Sequence, residues 1–162
     1  MAVEIERKFR VAEQFRPAGA GTRLVQGYLS RDPMRTVRIR IAGDAAYLTV
    51  KGETQGAVRA EYEYGIPLAD AQEMFALCAE PLVEKTRYIE MVAGRRWEID
   101  VFHGVNEGLI IAEVELPAAD AEVVLPVWAG REVTGIRRYY NAALIAHPYA
   151  QWTAEERSDI HA

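Results

Sequence analysis

The segment VEIERKFRV, residues 3–11, places charged side chains at every second position. Glu4, Glu6 and Lys8 share one parity, whereas the other parity is largely apolar. Because successive side chains of a β-strand point to opposite faces, this spacing predicts a strand with one ionic face and one largely apolar face. The fold then depends on what surrounds a row of two carboxylates and an ammonium group.

Frequent turn signals divide the rest of the chain into short segments rich in β-branched and aromatic residues, at the spacing of hairpins. They predict mostly antiparallel strands over 3–11, 23–30, 35–42, 45–51, 58–66, 83–92, 95–103 and 109–116. Helices are predicted over 68–80 with Asp70 as N-cap, over 117–125, over 141–147, and as one turn from Thr153 in TAEE.

The ionic face continues from strand to strand as pairs of like charge two residues apart. A sheet whose ionic face meets bulk water is the alternative, but such a face would more often mix charge signs. Eight strands are about the number that closes a small barrel. We therefore predict an α+β fold, an eight-stranded, mostly antiparallel, closed β-barrel with a charged interior and a few helices packed outside. Its interior would hold Glu4, Glu6, Glu61, Glu63, Glu98, Asp100, Glu113 and Glu115, with Lys8, Arg38, Arg40, Lys51, Lys85 and Arg87.

A charged interior of this kind requires a ligand, because buried charges are costly unless they are paired. Clustered carboxylates bind hard cations such as Mg²⁺ or Mn²⁺. Clustered arginine and lysine side chains bind phosphate oxygens. A triphosphate with bound metal satisfies both groups, so the interior predicts a site for a metal-bound polyphosphate.

The bulk composition narrows the function classes. The 162 residues suit one domain over 1–162, with a core over about 3–146 and a tail over 147–162. The chain has a net charge of -5, whereas nucleic-acid-binding domains are typically basic. The single cysteine, Cys78, suits a reducing cytoplasm. No apolar run is long enough for a transmembrane helix, and the charged N-terminus does not predict a signal peptide.

The segment EIERKF also resembles a known signature, the Glu-x-Glu-x-Lys motif of the CYTH, or triphosphate tunnel metalloenzyme, superfamily. RIR, TVK, EYE, EKTRY, EIDVF, EVE and VTGIRRYYN follow in the expected order. With GYL at 27–29, the chain is most similar to the small bacterial inorganic tripolyphosphatases. The resemblance implies metal-dependent hydrolysis of a phosphoanhydride bond in tripolyphosphate or another triphosphate.

The resemblance also implies roles for individual residues. Two Mg²⁺ or Mn²⁺ ions per site would be bound by Glu4, Glu6, Glu61, Glu63, Asp100, Glu113 and Glu115. The triphosphate would be held by Lys8, Arg38, Arg40, Lys51, Lys85, Arg87 and either Arg137 or Arg138, of which we prefer Arg138. The catalytic group would comprise Lys8, Tyr28, Glu61 and Glu63.

Other activities remain open at this point. Thiamine triphosphatase and class IV adenylyl cyclase share the scaffold, and a non-catalytic polyphosphate- or nucleotide-binding module is a further class. The three tryptophans are interpreted as packing residues, and Cys78 and the three histidines as having no catalytic or metal role. A homodimer is also open, since Tyr139, Tyr140, Ala143 and Leu144 suit either outer packing or a dimer contact.

Overall fold

A ring of antiparallel strands organises the computed structural model, which describes residues 2–158. The strands are β1 Val3–Val11, β2 Thr22–Ser30, β3 Arg35–Ala42, β4 Ala45–Gly52, β5 Val58–Ile66, β6 Val83–Val92, β7 Arg95–Phe102, β8 Ile110–Glu115 and β9 Ala129–Glu132. Pairing runs β1–β5–β4–β3–β2–β6–β7–β8 and returns to β1, so eight strands close the ring. The predicted closed barrel is confirmed, and each of its strands lies within one residue of its predicted bounds.

The ninth strand, β9, was not predicted. It pairs with the second half of β1, where Phe9 lies opposite Glu132 and Val11 opposite Ala129. The first half of β1 instead pairs with β5 on the same edge. The sequence AGRE has none of the β-branched or aromatic residues that mark a strand, so its pairing depends on the edge that β1 offers.

One helical segment covers the outer face of β3 and β4. Helix α1, Leu68–Met74, continues into a 3₁₀ turn, Phe75–Leu77, and packs with Cys78 against Ile39 and Ala46. The segment is shorter than the predicted 68–80, and its N-cap is Pro67 rather than Asp70, which lies in the first turn. The helical segment ends at Cys78, whose backbone is extended.

The predicted helix over 117–125 is wrong, because this segment is an irregular loop. Ala121, Val123 and Trp128 pack from it onto the cluster that contains Phe9 and Trp97, which lies on the outer face of the barrel. An extended path lets the loop cover the apolar face of several strands, where a short helix would cover only a stripe.

The interior of the barrel changes character along its axis. At one end the inward-facing side chains become apolar, and Tyr28, Phe102 and Ile111 pack with Tyr149 and Trp152 from beyond residue 147. The predicted tail therefore contributes to the core and closes this end. Arg10, fully buried, donates from Nη2 to the Tyr149 hydroxyl at 2.9 Å and from Nη1 to the Tyr139 hydroxyl at 3.3 Å.

The remaining short elements complete this closed end. They are 3₁₀ turns at Gly104–Asn106, Arg137–Tyr139 and Tyr149–Gln151, helix α2 at Ala143–Ala146 and helix α3 at Ala154–Arg157. The capping box predicted in TAEE is confirmed, since the Glu156 amide donates to the Thr153 hydroxyl at 3.1 Å. His161 lies outside the described residues. Within 2–158, the helices are all too short to cross a membrane.

Close packing of the outer helical segment on β2 requires a glycine at position 27. A Cβ atom there would lie 2.8 Å from both Cys78 Cβ and Leu82 Cδ2, whereas one at Gly65 would meet no atom within 4 Å. We expect Gly27→Ala to lower the free energy of unfolding by about 1–3 kcal/mol through overpacking. Gly65→Ala, the matched control, should change it far less. Urea denaturation of both variants measures this, and equal effects would contradict the packing described.

Candidate active site

Strand register brings the charged rows together inside the barrel. Lys8 on β1 lies opposite Glu113 on β8, and Lys51 on β4 lies opposite Glu61 on β5. Arg87 on β6 lies opposite Asp100 on β7 in the same way. Because directly opposed side chains are near neighbours on one face of a sheet, these rows form a continuous ionic lining.

This lining surrounds a cavity of ≈ 520 Å³. All but two of the site residues predicted from sequence line it: Glu4, Glu6, Lys8, Tyr28, Arg38, Arg40, Lys51, Glu61, Glu63, Lys85, Arg87, Glu113 and Glu115. Residues that the sequence did not indicate also line it, among them Thr36, Arg59, Arg137, Tyr140 and Asn141. The placement gathers these groups, and their individual roles stay predictions.

Lys8 is a buried ammonium group between acids and an aromatic ring. Its Nζ atom forms a short ion pair with Glu113, lies 4.0 Å from Glu6 Oε1 and 4.7 Å from the centre of the Tyr140 ring. Burial alone would lower the pKa of Lys8, but Glu113 and Glu6 raise it above its usual value. Lys8 is therefore positively charged at neutral pH.

Lys51 bridges two further acids on neighbouring strands. Its Nζ atom lies 3.1 Å from Glu4 Oε1 and 3.2 Å from Glu61 Oε2. Burial alone would raise the pKa of Glu4, but Lys51 lowers it below the usual value. Burial, which outweighs Lys51 here, raises the pKa of Glu61. One lysine thus holds two carboxylates that would otherwise repel each other.

Another part of the wall consists of cations that repel one another. Arg38 donates from Nη2 to the Thr49 hydroxyl at 3.1 Å, and Arg40 donates from Nε to Gln26 Oε1 at 3.1 Å. Burial and then repulsion from Arg38 and Arg87 lower the pKa of Arg40 to about 10. Among the residues that the structure describes, Arg40 forms no ion pair with a carboxylate. Arg38 pairs with Glu63 and Arg87 with Asp100, so the excess positive charge of this cluster comes from Arg40. A buried arginine without a carboxylate partner favours a polyanion.

Asp100 holds two of these cations from behind the cavity. It accepts hydrogen bonds from Arg87 Nε at 2.8 Å and from Arg87 Nη2 at 2.9 Å, and it lies 2.7 Å from Lys85 Nζ. Burial alone would raise the pKa of Asp100, but Arg87 and Lys85 lower it. Burial lowers the pKa of Lys85, Asp100 opposes this by favouring the charged ammonium, and Arg87 and Arg40 add to the lowering.

The carboxylates fit a divalent cation by their chemistry and placement. Glu6 lies opposite Glu115, and Glu98 lies opposite Glu113, although like charges so placed repel. Burial and then Glu113 raise the pKa of Glu6 well above its usual value. A hard cation with oxygen ligands would offset this repulsion. Over 2–158, no three His, Cys, Asp or Glu side chains form a ready-made metal group, and lysines contact several of the acids.

Comparison with known proteins agrees with this geometry. The CYTH domain model matches residues 2–142. The chain belongs to the CYTH domain family. An inorganic triphosphatase from Acetivibrio thermocellus is 46% identical over 151 residues, covering 92% of this chain and 97% of that protein. One from Nitrosomonas europaea is 38% identical over 148 residues, covering 87% and 95%. A crystal structure of an inorganic triphosphatase superposes with a TM-score of 0.64 at 36% identity, covering 90% and 95%.

Two residues predicted for this CYTH site lie outside the cavity lining. Asp100 is buried behind it, where both carboxylate oxygens are engaged by cations. Arg138 lies over the rings of Tyr139 and Trp152, at 4.9 and 5.6 Å from their centres, whereas Arg137 lines the cavity. Sequence parity identifies the face of a strand but not depth along the barrel, and it gives no guide within a 3₁₀ turn.

The residues interpreted as structural have packing or surface contacts. Trp97 and Trp128 pack edge to face with ring centres 5.4 Å apart, and Trp152 packs on Tyr139 at 5.0 Å. Cys78 is buried outside the barrel. His103 contacts the Thr86 hydroxyl and His147 contacts Glu156. Tyr139 and Leu144 are buried within this chain, while Tyr140 and Ala143 line the cavity. The homodimer stays a prediction.

Removal of the Asp100 charge should destabilise the site from within. Asp100→Asn leaves Lys85 without a carboxylate partner in the interior, and breaking a buried pair in this way costs about 3–5 kcal/mol. Glu84→Gln is the control, because its pair with Arg23 is exposed and such pairs contribute about 1 kcal/mol or less. We expect urea denaturation to give these two magnitudes. Equal losses in both variants would contradict the buried network.

Proposed function

We propose that this protein is a divalent-metal-dependent triphosphatase that hydrolyses a phosphoanhydride bond of inorganic tripolyphosphate or another triphosphate held in the barrel. The main support is one cavity that combines opposed carboxylates with a cluster of cations in which Arg40, among the described residues, has no carboxylate partner. Relatives named inorganic triphosphatase, matched along most of their length, also favour this activity.

The cations would bind the phosphate oxygens. The guanidinium groups of Arg38, Arg40 and Arg87 are planar donors suited to paired phosphate oxygens, and Lys85 adds a compact charge beside them. Asp100 would act as a positioning residue, because it orients Arg87 through two hydrogen bonds and also contacts Lys85. Charge stabilisation of this kind is the main requirement of phosphoryl transfer.

The carboxylates would hold one or two Mg²⁺ or Mn²⁺ ions. Glu4, Glu6, Glu113 and Glu115 supply the hard oxygen ligands that these ions prefer. A bound ion would offset charge on the phosphate oxygens and lower the pKa of an attacking water. In the free protein Lys8 contacts Glu6 and Glu113, and Lys51 contacts Glu4 and Glu61. When these acids bind metal, the two lysines would turn toward the phosphate.

Glu61 and Glu63 would position the attacking water and accept its proton. Both line the cavity, and Glu63 already accepts a hydrogen bond from the Thr49 hydroxyl at 2.9 Å, which fixes its orientation. Lys8 would stabilise charge that develops on the phosphate groups. Tyr28, whose hydroxyl accepts from Gln26 Nε2 at 2.9 Å, would help to order the same wall.

The aromatic residues favour an inorganic substrate over thiamine triphosphate or a nucleotide. All three tryptophans pack outside the cavity lining, and Tyr28 and Tyr140 supply the aromatic rings of the described lining. Tyr140 lies against Lys8 and, at 6.0 Å, over Arg59, so its ring face is already in use.

The single cysteine also favours a reducing, cytoplasmic setting.

Phosphate release from tripolyphosphate, ATP and thiamine triphosphate, each with Mg²⁺ and Mn²⁺, tests this function. We expect tripolyphosphate to be preferred and EDTA to abolish release. Glu4→Gln should raise the metal concentration required for half-maximal rate, because a ligand charge is lost. Arg38→Ala should instead raise KM about tenfold or more, since a charged hydrogen bond contributes ~1.5–3 kcal/mol.

Arg23→Ala provides the matched control for Arg38→Ala. Arg23 lies on the surface and pairs with Glu84, so its removal should leave KM and the metal requirement unchanged. Parental rates in both site variants would overturn the proposal, and so would release of phosphate that is insensitive to EDTA.

A further inference from the structure

A fully buried amide, Gln26, lies behind the cations of the cavity. It faces Arg40 across β2 and β3, and its Oε1 atom accepts from Arg40 Nε at 3.1 Å. Its Nε2 atom donates to Asn141 Oδ1 at 3.2 Å, and Asn141 Oδ1 also accepts from Lys85 Nζ at 2.8 Å. Two neutral amides therefore connect two cations.

The donor and acceptor roles in this hydrogen-bond network are fixed by Arg40 and Lys85 at its two ends. Arginine and lysine side chains can only donate, so each must face the oxygen of its amide partner. Reversal of Gln26 would turn its NH₂ group toward Arg40, and reversal of Asn141 would turn its NH₂ group toward Lys85. The contact between the two amides is then also satisfied, with Gln26 donating and Asn141 accepting. The network thus has a single consistent arrangement.

Neutral partners have a specific consequence for the cations that they hold. A carboxylate at either position would orient its cation equally well but would also neutralise charge that a polyanion needs. Over residues 2–158, Arg40 pairs with no carboxylate, and Lys85 shares Asp100 with Arg87. The amides therefore orient these cations and leave excess positive charge in the wall.

Asn141 also connects the barrel to the segment that returns over the cavity after β9. Arg137, Tyr140 and Ala142 line the cavity from this segment. Its contacts with Gln26 on β2 and Lys85 on β6 join that segment to two strands of the wall. A substitution at Asn141 should therefore affect the contact between this segment and the phosphate-binding cations.

We propose that Gln26 and Asn141 are positioning residues that hold Arg40 and Lys85 toward the cavity without neutralising them, and so set the affinity for the polyphosphate anion. This inference rests on the proposed function and deepens it. Neither amide is required to touch the phosphate. Their effect acts through the direction and the net charge of the two cations.

Asn141→Asp gives the sharpest test, because an aspartate oxygen keeps both accepted hydrogen bonds and adds one negative charge beside Lys85. We expect tripolyphosphate to bind at least about tenfold more weakly. Thermal stability should be equal to or above that of the parent, since the added carboxylate pairs with a buried ammonium. Asn141→Ala removes the bonds without adding charge, so its stability should fall while its affinity falls less.

The opposite orders of affinity and stability in these variants distinguish charge control from a loss of structure, which would lower both together. Binding is measured by titration calorimetry with tripolyphosphate in EDTA, stability by thermal unfolding, and KM and kcat with metal present. The loss in Asn141→Asp should appear mainly in KM. Gln26→Glu adds charge beside Arg40 and should also weaken binding, but its stability should fall because it loses the hydrogen bonds that Gln26 donates to Tyr28 and Asn141. Gln72→Glu, on the exposed face of α1, should change neither.

The outcomes separate this inference from the function on which it rests. Parental affinity in Asn141→Asp, with the parent binding tripolyphosphate, would overturn the inference alone. So would a variant order in which Asn141→Ala binds more weakly than Asn141→Asp. A parent that binds no tripolyphosphate, with or without Mg²⁺, would overturn the proposed function and the inference together.

Discussion

Side-chain direction alternates with every residue of a β-strand, and closure of the strand ring turns that alternation into an inside and an outside. The charged parity of each strand then has no route to bulk water except through the cavity. Much of the apolar parity is covered by α1 and by the loop that follows β8, while Tyr62 and Tyr64 on β5 are exposed. A slip of one residue in any strand would exchange the two faces, so burial outside and charge inside fix the same register.

Because these charges are confined to the cavity, the free protein has a site in which ligand binding is favourable. Lysines separate the carboxylates, while Thr49, Gln26 and Asn141 orient cations without cancelling them. The remaining repulsion among Arg38, Arg40 and Arg87 opposes folding, and a bound polyanion would relieve it. Ligand binding and stability are therefore coupled, as expected when a ligand binds only the folded state. Asp100 limits the cost by pairing with both Lys85 and Arg87.

Local pattern was sufficient for the barrel and for most of its lining, because a period of two and like-charge pairs are properties of single strands. It failed where position depends on distant contacts. The loop over 117–125 has a helical composition but is needed as an extended cover, and β9 forms because β1 has a free edge. Tyr140 and Asn141 reach the cavity from a returning segment. Gln26 left one signal, a polar side chain in an otherwise apolar stretch, on the same parity as Tyr28.

The central claim is that metal and phosphate meet inside the ring of strands. A crystal structure of the protein with tripolyphosphate and Mn²⁺, with manganese located by anomalous scattering, tests this most directly. We expect the phosphate chain against Arg38, Arg40 and Arg87, and manganese between the chain and the carboxylates of β1 and β8. A phosphate chain or manganese bound on the outer surface, with the cavity filled by water alone, would contradict the account.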